Sequence, residues 1–350
     1  MNKKIFANKI IAWYQENKRS LPWRETVDPY KIWLSEVILQ QTRVSQGLPF
    51  YTRFIKTFST VLDLANATEQ QVLRLWQGLG YYSRARNLHA CAKKVVADYD
   101  GKFPTRYEEL QKLPGIGTYT AAAIASIAFK ESVAVVDGNV FRVLARIFGI
   151  DKDIASPEGK KFFFEKANEL IPKDQPDLFN QALMEFGALH CLPQNPKCEE
   201  CIFSKACVAN ALGLQKQLPI KSKKPKVRKR YFYYFVIQHQ KQILMKERGP
   251  KDIWQGLYDF YLIEKKRTHK IENLLREIDL LNSYQLILQS KVIKHILSHQ
   301  HLLARFIQLE VESKEEFTRL TKSLGMKAFS MKEIGRLPKP ILIEKYLNQD

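Results

Sequence analysis

Leu113-Pro114-Gly115-Ile116-Gly117, running directly into Thr118-Tyr119-Thr120-Ala121-Ala122-Ala123-Ile124, is the stretch on which the fold turns. The residues before it, 107–112, predict a helix, and the alanine run after it predicts a second one. Gly115 and Gly117 let the backbone turn tightly between them. They also aim bare N–H groups outward at a helix amino terminus, where a phosphate binds well. Small side chains in the second helix allow its partner to approach closely. A phosphate-binding helical hairpin is the expectation.

Working outward, Val133-Ala134-Val135-Val136-Asp137-Gly138-Asn139 opens another helix over 140–148. Asp137 or Asn139 can be read simply as the cap of that helix. The functional reading is a carboxylate fixed at a helix start and pointing into a cleft. Further on, Cys191, Cys198, Cys201 and Cys207 have the spacing C-x6-C-x2-C-x5-C, with His190 beside the first of them. Four thiolates so placed can hold zinc or an iron–sulfur cluster, and clustering of this kind favours a metal site in a reducing cytosol over disulfides. Cys91 stands alone and reads as a buried core thiol.

The chain has 350 residues, enough for about two domains. Its 56 Lys and Arg against 36 Asp and Glu leave a formal charge of +20, which points to a polyanionic partner. With 45% hydrophobic residues, global disorder is excluded. Ile5, Phe6, Ile10, Ile11, Trp13 and Tyr14 cluster at helical spacing, so the amino terminus reads as an amphipathic helix and not as a signal peptide or membrane span. The pattern stays helical to about Leu214. Residues 215–230 then form a basic linker, and no acidic residue occurs from Cys201 to Lys246. After it YFYYFVIQ, QILMKER, LYDFYLI and HLLARFIQLEV predict strands and KIENLLREID a helix, a mixed α/β domain over 231–350.

Leu-Pro-Gly-Ile-Gly with its small-residue helix resembles the helix-hairpin-helix of base-excision DNA glycosylases. Asp137 downstream and the cysteine spacing resemble the endonuclease III-like superfamily, whose loop carries a 4Fe-4S cluster; that resemblance turns the preference from zinc to iron–sulfur. Arg19-Ser20-Leu21-Pro22-Trp23-Arg24, Trp33–Thr42, Gly78–His89 and Glu185-Phe186-Gly187-Ala188 narrow it further. Together these are similar to adenine DNA glycosylases of the MutY type, which remove adenine mispaired with 8-oxoguanine. The likeness runs from about Ala12 to Leu212. It implies a mainly α glycosylase domain over 1–214, with the 4Fe-4S loop at 191–207, and a smaller α/β Nudix-like recognition domain. It also implies a cytoplasmic monomer acting on double-stranded DNA.

The same resemblance makes Glu36 the general acid and Asp137 the ionised carboxylate that stabilises the sugar, with Tyr119 and Asn139 in support. Glu36 makes physical sense in that role: it sits among Trp33, Leu34, Val37, Ile38 and Leu39, where desolvation should raise its pKa. Arg19, Trp23, Arg24 and Glu185 match the adenine pocket, and Leu39, Gln41 and Tyr81 match residues that wedge into the duplex. Tyr119 stands where lyase-type relatives carry a Schiff-base lysine, so a monofunctional enzyme is expected. Gly249–Phe260 resembles a Nudix-like domain, but Glu272 and Glu277 lack the spacing of a Mg²⁺-binding Nudix helix, which argues against pyrophosphate hydrolysis. Ser298 and His299 fall where the family reads 8-oxoguanine, with Leu297 in place of its phenylalanine. The rival readings are a glycosylase for G·T mismatches or oxidised pyrimidines, and a non-catalytic iron–sulfur DNA-binding protein.

Overall fold

The apolar amino-terminal run forms α1 (Lys3–Asn17), capped by Asn2, whose side chain accepts from the Lys4 N–H. Phe6, Ala7, Ile10, Ile11, Trp13 and Tyr14 turn inward, while Ile5 stays exposed. The computed structural model describes residues 2–222, 227–250, 252–278 and 284–348. Helices continue with α2 (Pro29–Leu39), α3 (Val44–Thr57), α4 (Val61–Asn66), α5 (Glu69–Trp76) and α6 (Ser83–Tyr99). Then come α7 (Tyr107–Leu110), α8 (Thr118–Phe129), α9 (Gly138–Phe148), α10 (Pro157–Leu170), α11 (Pro176–Leu189) and α12 (Val208–Ala211). The helix expected over 107–112 is thus a single turn, and residues 111–115 form the bend itself.

By packing, the described residues divide into two units. One takes the chain up to Asn66 and from Asn87 to the linker; the other takes Ala67–Arg86 and the chain after the linker. In the helical unit α1, α9, α10 and α11 enclose one core, centred on Phe6, Phe163, Phe179, Phe186 and Phe203. α8 packs on α2 and on α11. Gly115 is required twice over at the hairpin: its φ is +74°, and a β-carbon there would lie 2.6 Å from Asn87 Cβ. Residues 215–222 carry linker composition yet are tied to the helical unit. The Leu218 carbonyl accepts from Arg146, that of Ile220 accepts from the Ile154 N–H, and the Ser222 hydroxyl donates to Asp153. The middle of the expected linker, 223–226, lies outside the described residues.

The second unit is built on an eight-stranded sheet among the described residues. Its strands are β1 (Arg228–His239), β2 (Gln242–Glu247), β3 (Tyr258–Asp259), β4 (Tyr261–Lys265), β5 (Tyr284–Gln289), β6 (Ile293–Leu297), β7 (Gln300–Val311) and β8 (Lys327–Ser330). β1 and β7 run parallel at the centre, Arg228 opposite Gln300 and Gln238 opposite Glu310. Two shorter strands flank each of them end to end: β4 and β2 on β1, β6 and β5 on β7. The predicted LYDFYLI strand is split, because β3 pairs with β2 while β4 pairs with β1. Helices α13 (Ile271–Glu277), α14 (Lys314–Ser323), α15 (Met331–Ile334) and α16 (Ile341–Leu347) complete the unit. The last residues of the expected KIENLLREID helix, Asp279 onward, lie outside the described residues. Among those described, no helix is long and apolar enough to cross a membrane.

The segment that delivers Asp137 is held by Asn180, a fully buried residue of α11. Its carbonyl accepts from the Val135 N–H at 2.9 Å, and its amide donates to the Val133 carbonyl and the Ser126 hydroxyl, each at 2.9 Å. Asn180→Ala would leave the buried Val135 N–H and Val133 carbonyl without this partner, at a cost on the order of 2–4 kcal/mol. Thermal unfolding should therefore begin several degrees earlier than in the wild type. An unchanged transition would refute the role given to Asn180.

Candidate active site and cysteine loop

Glu36 projects from α2 toward the first turn of α8, where the Tyr119 hydroxyl donates to its Oε2 at 2.7 Å. Burial pushes the Glu36 pKa up to about 7; the Tyr119 hydrogen bond pulls it down, the nearby Asp137 charge raises it, and Arg24 lowers it. Tyr119 is itself pushed well above the usual tyrosine range, first by burial and then by Glu36, so it stays a neutral donor. Its oxygen also lies 3.5 Å from Met184 Sδ.

Asp137 does cap α9. Its Oδ1 accepts from the N–H groups of Asn139 at 2.9 Å and Val140 at 2.8 Å. Its other oxygen accepts from the Asn139 side-chain amide at 2.7 Å. Burial raises the Asp137 pKa, while the Val140 and Asn139 donors and the Arg142 charge oppose that rise. The cap itself thus supplies donors that favour the anion. Asn139 is fixed in turn: its carbonyl oxygen accepts from Arg142 at 3.0 Å. Gly187 on α11 lets this corner close, since a β-carbon there would lie 2.6 Å from Asn139 Cβ.

Glu185 meets a different fate. It is 1% exposed and receives bidentate pairs from both Arg19 (2.8 and 2.6 Å) and Arg24 (2.8 and 2.7 Å), with the Arg19 N–H adding a fifth donor at 3.1 Å. Burial opposes its ionisation, yet these hydrogen bonds and charges bring its pKa down to about 2. Trp23 is buried edge-on against Tyr51. Leu39 ends α2, and Gln41 beyond it is exposed in a left-handed conformation, φ +55°. Gly117 needs neither an unusual φ nor space inside the protein, because a β-carbon there would meet nothing within 4 Å. It begins α8 with its surroundings open to something outside the chain.

The cysteine loop closes on α9 and α11. Cys191, Cys198, Cys201 and Cys207, all half-buried, line one small pocket together with Arg146, His190 and Lys197. Two donors approach the sulfurs: Arg146 lies 3.5 Å from Cys191 Sγ and the Phe203 N–H 3.4 Å from Cys201 Sγ. Arg142 donates to the Cys191 carbonyl at 2.7 Å, and Arg146 to those of Leu192 and Pro193. Among the described residues no three His, Cys, Asp or Glu side chains converge closely enough to hold one metal ion. Four thiols lining one pocket are a donor set suited to a metal ion or an iron–sulfur group. Cys91 is fully buried, and burial pushes its thiol up to about 12, as befits a core residue.

Tyr81, Ser298 and His299 belong to the second unit. Tyr81 has φ +48°, and its hydroxyl is hydrogen-bonded to the Ser298 hydroxyl. Ser298 and His299 are the exposed two-residue turn between β6 and β7, where Leu297 pairs with Gln300. They edge a cavity of about 700 Å³ whose lining includes Tyr81, Arg86, Trp254, Gln255, His295 and Gln300. Beneath it Arg230, 5% exposed, binds Asp252 at 2.8–2.9 Å, the Gln300 side chain at 2.9 Å, and Glu264. Glu277 of α13 is engaged by Lys265 at 2.8 Å. Sequence reasoning passed over Arg142, Arg146, Asn180 and Arg230. Each has at least one partner far away in sequence, at 45 and 70 positions for example, and leaves no local pattern.

A family model described as HhH-GPD superfamily base excision DNA repair protein matches residues 34–173, and one described as NUDIX domain matches 233–349. Adenine DNA glycosylase of Buchnera aphidicola subsp. Baizongia pistaciae (strain Bp) is 33% identical over 348 residues, covering 97% of this chain and 96% of that protein. The adenine DNA glycosylase of Rattus norvegicus is 44% identical over 214 residues, 59% of this chain and 42% of the rat protein. This chain thus spans less than half of the rat protein's length. Among solved structures, a thermostable thymine-DNA glycosylase aligns with a TM-score of 0.55 and 31% identity, covering 60% of this chain and 97% of that one. The thymine enzyme matches one part of the chain, whereas the Buchnera enzyme matches it nearly end to end. The chain belongs to the adenine DNA glycosylases, base-excision repair hydrolases of the helix-hairpin-helix superfamily that act on N-glycosyl bonds.

Proposed function

We propose that this glycosylase removes adenine mispaired with 8-oxoguanine, or with guanine, in duplex DNA, and that Glu36 and Asp137 divide the chemistry. The observation that carries this reading is the Tyr119 hydroxyl donating to Glu36, whose acidity burial has moved to about 7, beside an Asp137 held by donors. Once adenine is flipped from the stack, Glu36 in its protonated form gives its proton to N7 and turns the base into a leaving group. Asp137 in its ionised form faces the positive charge that develops on the sugar. Water completes the hydrolysis. Asn139 orients Asp137, and Tyr119 keeps Glu36 pointed at the base.

The reaction stops at base removal. Tyr119 has no amine where a Schiff-base lysine would stand, and Lys112 and Lys130 lie outside the hairpin mouth, paired with Glu109 at 2.6 Å and Asp177 at 2.5 Å. Arg19, Arg24 and Glu185 act as a rigid wall of the adenine pocket beside Trp23. Leu39, Gln41 and Tyr81 enter the duplex, and Gly115 and Gly117 receive a phosphate at the start of α8. Cys191, Cys198, Cys201 and Cys207 hold a 4Fe-4S cluster, which when bound would cross-link the loop and supply a redox centre. Ser298 and His299 read the oxidised purine opposite, the protein acting as a monomer in the cytoplasm. Base release from duplexes carrying A opposite 8-oxoguanine, A opposite guanine, or G·T tests the substrate: only the first two should be cut.

Glu36→Gln and Asp137→Asn should each slow single-turnover adenine release by about 10²–10⁴-fold while duplex affinity stays near wild type. A variant that cuts at the wild-type rate would remove that residue from the chemistry. Because Glu36 is active when protonated, the wild-type rate should fall as pH rises through about 7. The residual rate of Glu36→Gln, whose side chain does not titrate, should lack that limb; if it persists, another group is the acid. Ser298→Ala combined with His299→Ala should cost about 1–3 kcal/mol of preference for 8-oxoguanine over guanine, read from the ratio of excision rates. An unchanged ratio would place recognition elsewhere.

A further inference from the structure

The buried nitrogens of the cysteine pocket contain one that the folded chain leaves idle. His190 is 8% exposed, and its Nε2 has no hydrogen-bond partner. The ring cannot swing toward solvent. Phe186 stacks on one face at 4.9 Å and 20°, and Trp13 meets it edge-on at 6.0 Å. Its backbone is pinned as well, since the His190 N–H donates to the Phe186 carbonyl at 2.9 Å and the Lys197 N–H to the His190 carbonyl at 3.2 Å. An imidazole nitrogen left dry and unpaired costs about 1–3 kcal/mol, so a fold that immobilises one implies a partner absent from the polypeptide. The lining that His190 shares with four thiols says where that partner lies.

We propose that His190 Nε2–H donates a hydrogen bond to a sulfur of the cluster held by Cys191, Cys198, Cys201 and Cys207, and thereby raises its reduction potential. This rests on the four cysteines holding a 4Fe-4S cluster. It assigns His190 a positioning and tuning role, not that of a fifth ligand, because the four thiolates already complete the set. It would join the two donors present, Arg146 at Cys191 and the Phe203 N–H at Cys201. An added electron makes the cluster sulfurs more negative, so a donor stabilises the reduced form more than the oxidised one.

The test uses the full-length holoenzyme and two variants. His190→Phe keeps an aromatic ring between Phe186 and Trp13 but removes the donor; His190→Gln keeps a donor on a flexible side chain. For each, iron and acid-labile sulfide per chain, the cluster potential by film voltammetry, and the D₂O shift of the Fe–S Raman bands are measured. With about four iron and four sulfide retained, His190→Phe should move the potential to more negative values and lose part of the D₂O shift, and His190→Gln should move it less. Wild-type potential and wild-type D₂O shift in a fully loaded His190→Phe would overturn the role of His190 while leaving the cluster in place. Stoichiometric zinc without sulfide in the anaerobically purified wild type would overturn the cluster, and this proposal with it.

Discussion

A carboxyl group withdrawn from water must either keep its proton or be surrounded by donors, and the helical unit places Glu36, Asp137 and Glu185 under that constraint together. Glu36 receives a single side-chain donor, Tyr119, and its acidity drifts up to about 7. Asp137 receives the amino terminus of α9 and the Asn139 amide, which oppose the rise that burial imposes. Glu185 receives two guanidinium groups and is held near 2. The difference lies in donor count, because all three are withdrawn from solvent. Residues of one chemical type thus reach three different acidities, as the proposed division of labour between proton donor, anion and pocket wall requires.

That arrangement depends on how closely the helices pack. Gly187 admits Asn139 to the face of α11, and Arg142 then joins Asn139 to the Gly187 and Cys191 carbonyls, at 2.6 Å to the former. Asn180 fixes the extended segment that leads to Asp137. Arg146 binds the start of the cysteine loop and the Leu218 carbonyl with the same guanidinium. The position of the carboxylate at the head of α9 is thereby tied to the loop that follows α11, whatever that loop holds. A helix cap worth about 1 kcal/mol in isolation becomes part of a continuous polar framework.

The parts of the site that were readable beforehand are those written in short, contiguous stretches. Gly115 and Gly117 lie two apart, Asp137 and Asn139 likewise, and the cysteine spacing needs only seventeen residues. Turn geometry and ligand spacing are local properties, so the chain displays them openly. Strand order was not readable, since LYDFYLI divides between two neighbours according to partners far away in sequence. The composition of 215–222 reads as a basic linker, because charge is visible in a sequence while the carbonyls that Arg146 and the Ile154 N–H seek are not. Nor did any local signal pair Tyr81 with Ser298, 217 positions away.

The segment Ala67–Arg86 belongs by its packing to the carboxy-terminal unit. It is threaded between α4 and the body of α6, yet its side chains are satisfied by the carboxy-terminal chain: Gln70 donates to Tyr258, Gln77 to Glu344, and Arg86 to the Gln255 carbonyl. A β-carbon at Gly256 would collide with Leu73, 2.9 Å away. The carboxy-terminal module is therefore discontinuous, with an early strip whose partners lie 169 to 267 positions later in the chain. A protease cut in the linker would sever only one of three covalent crossings between the units. Swapping carboxy-terminal modules between relatives would succeed only if residues 67–86 travelled with them.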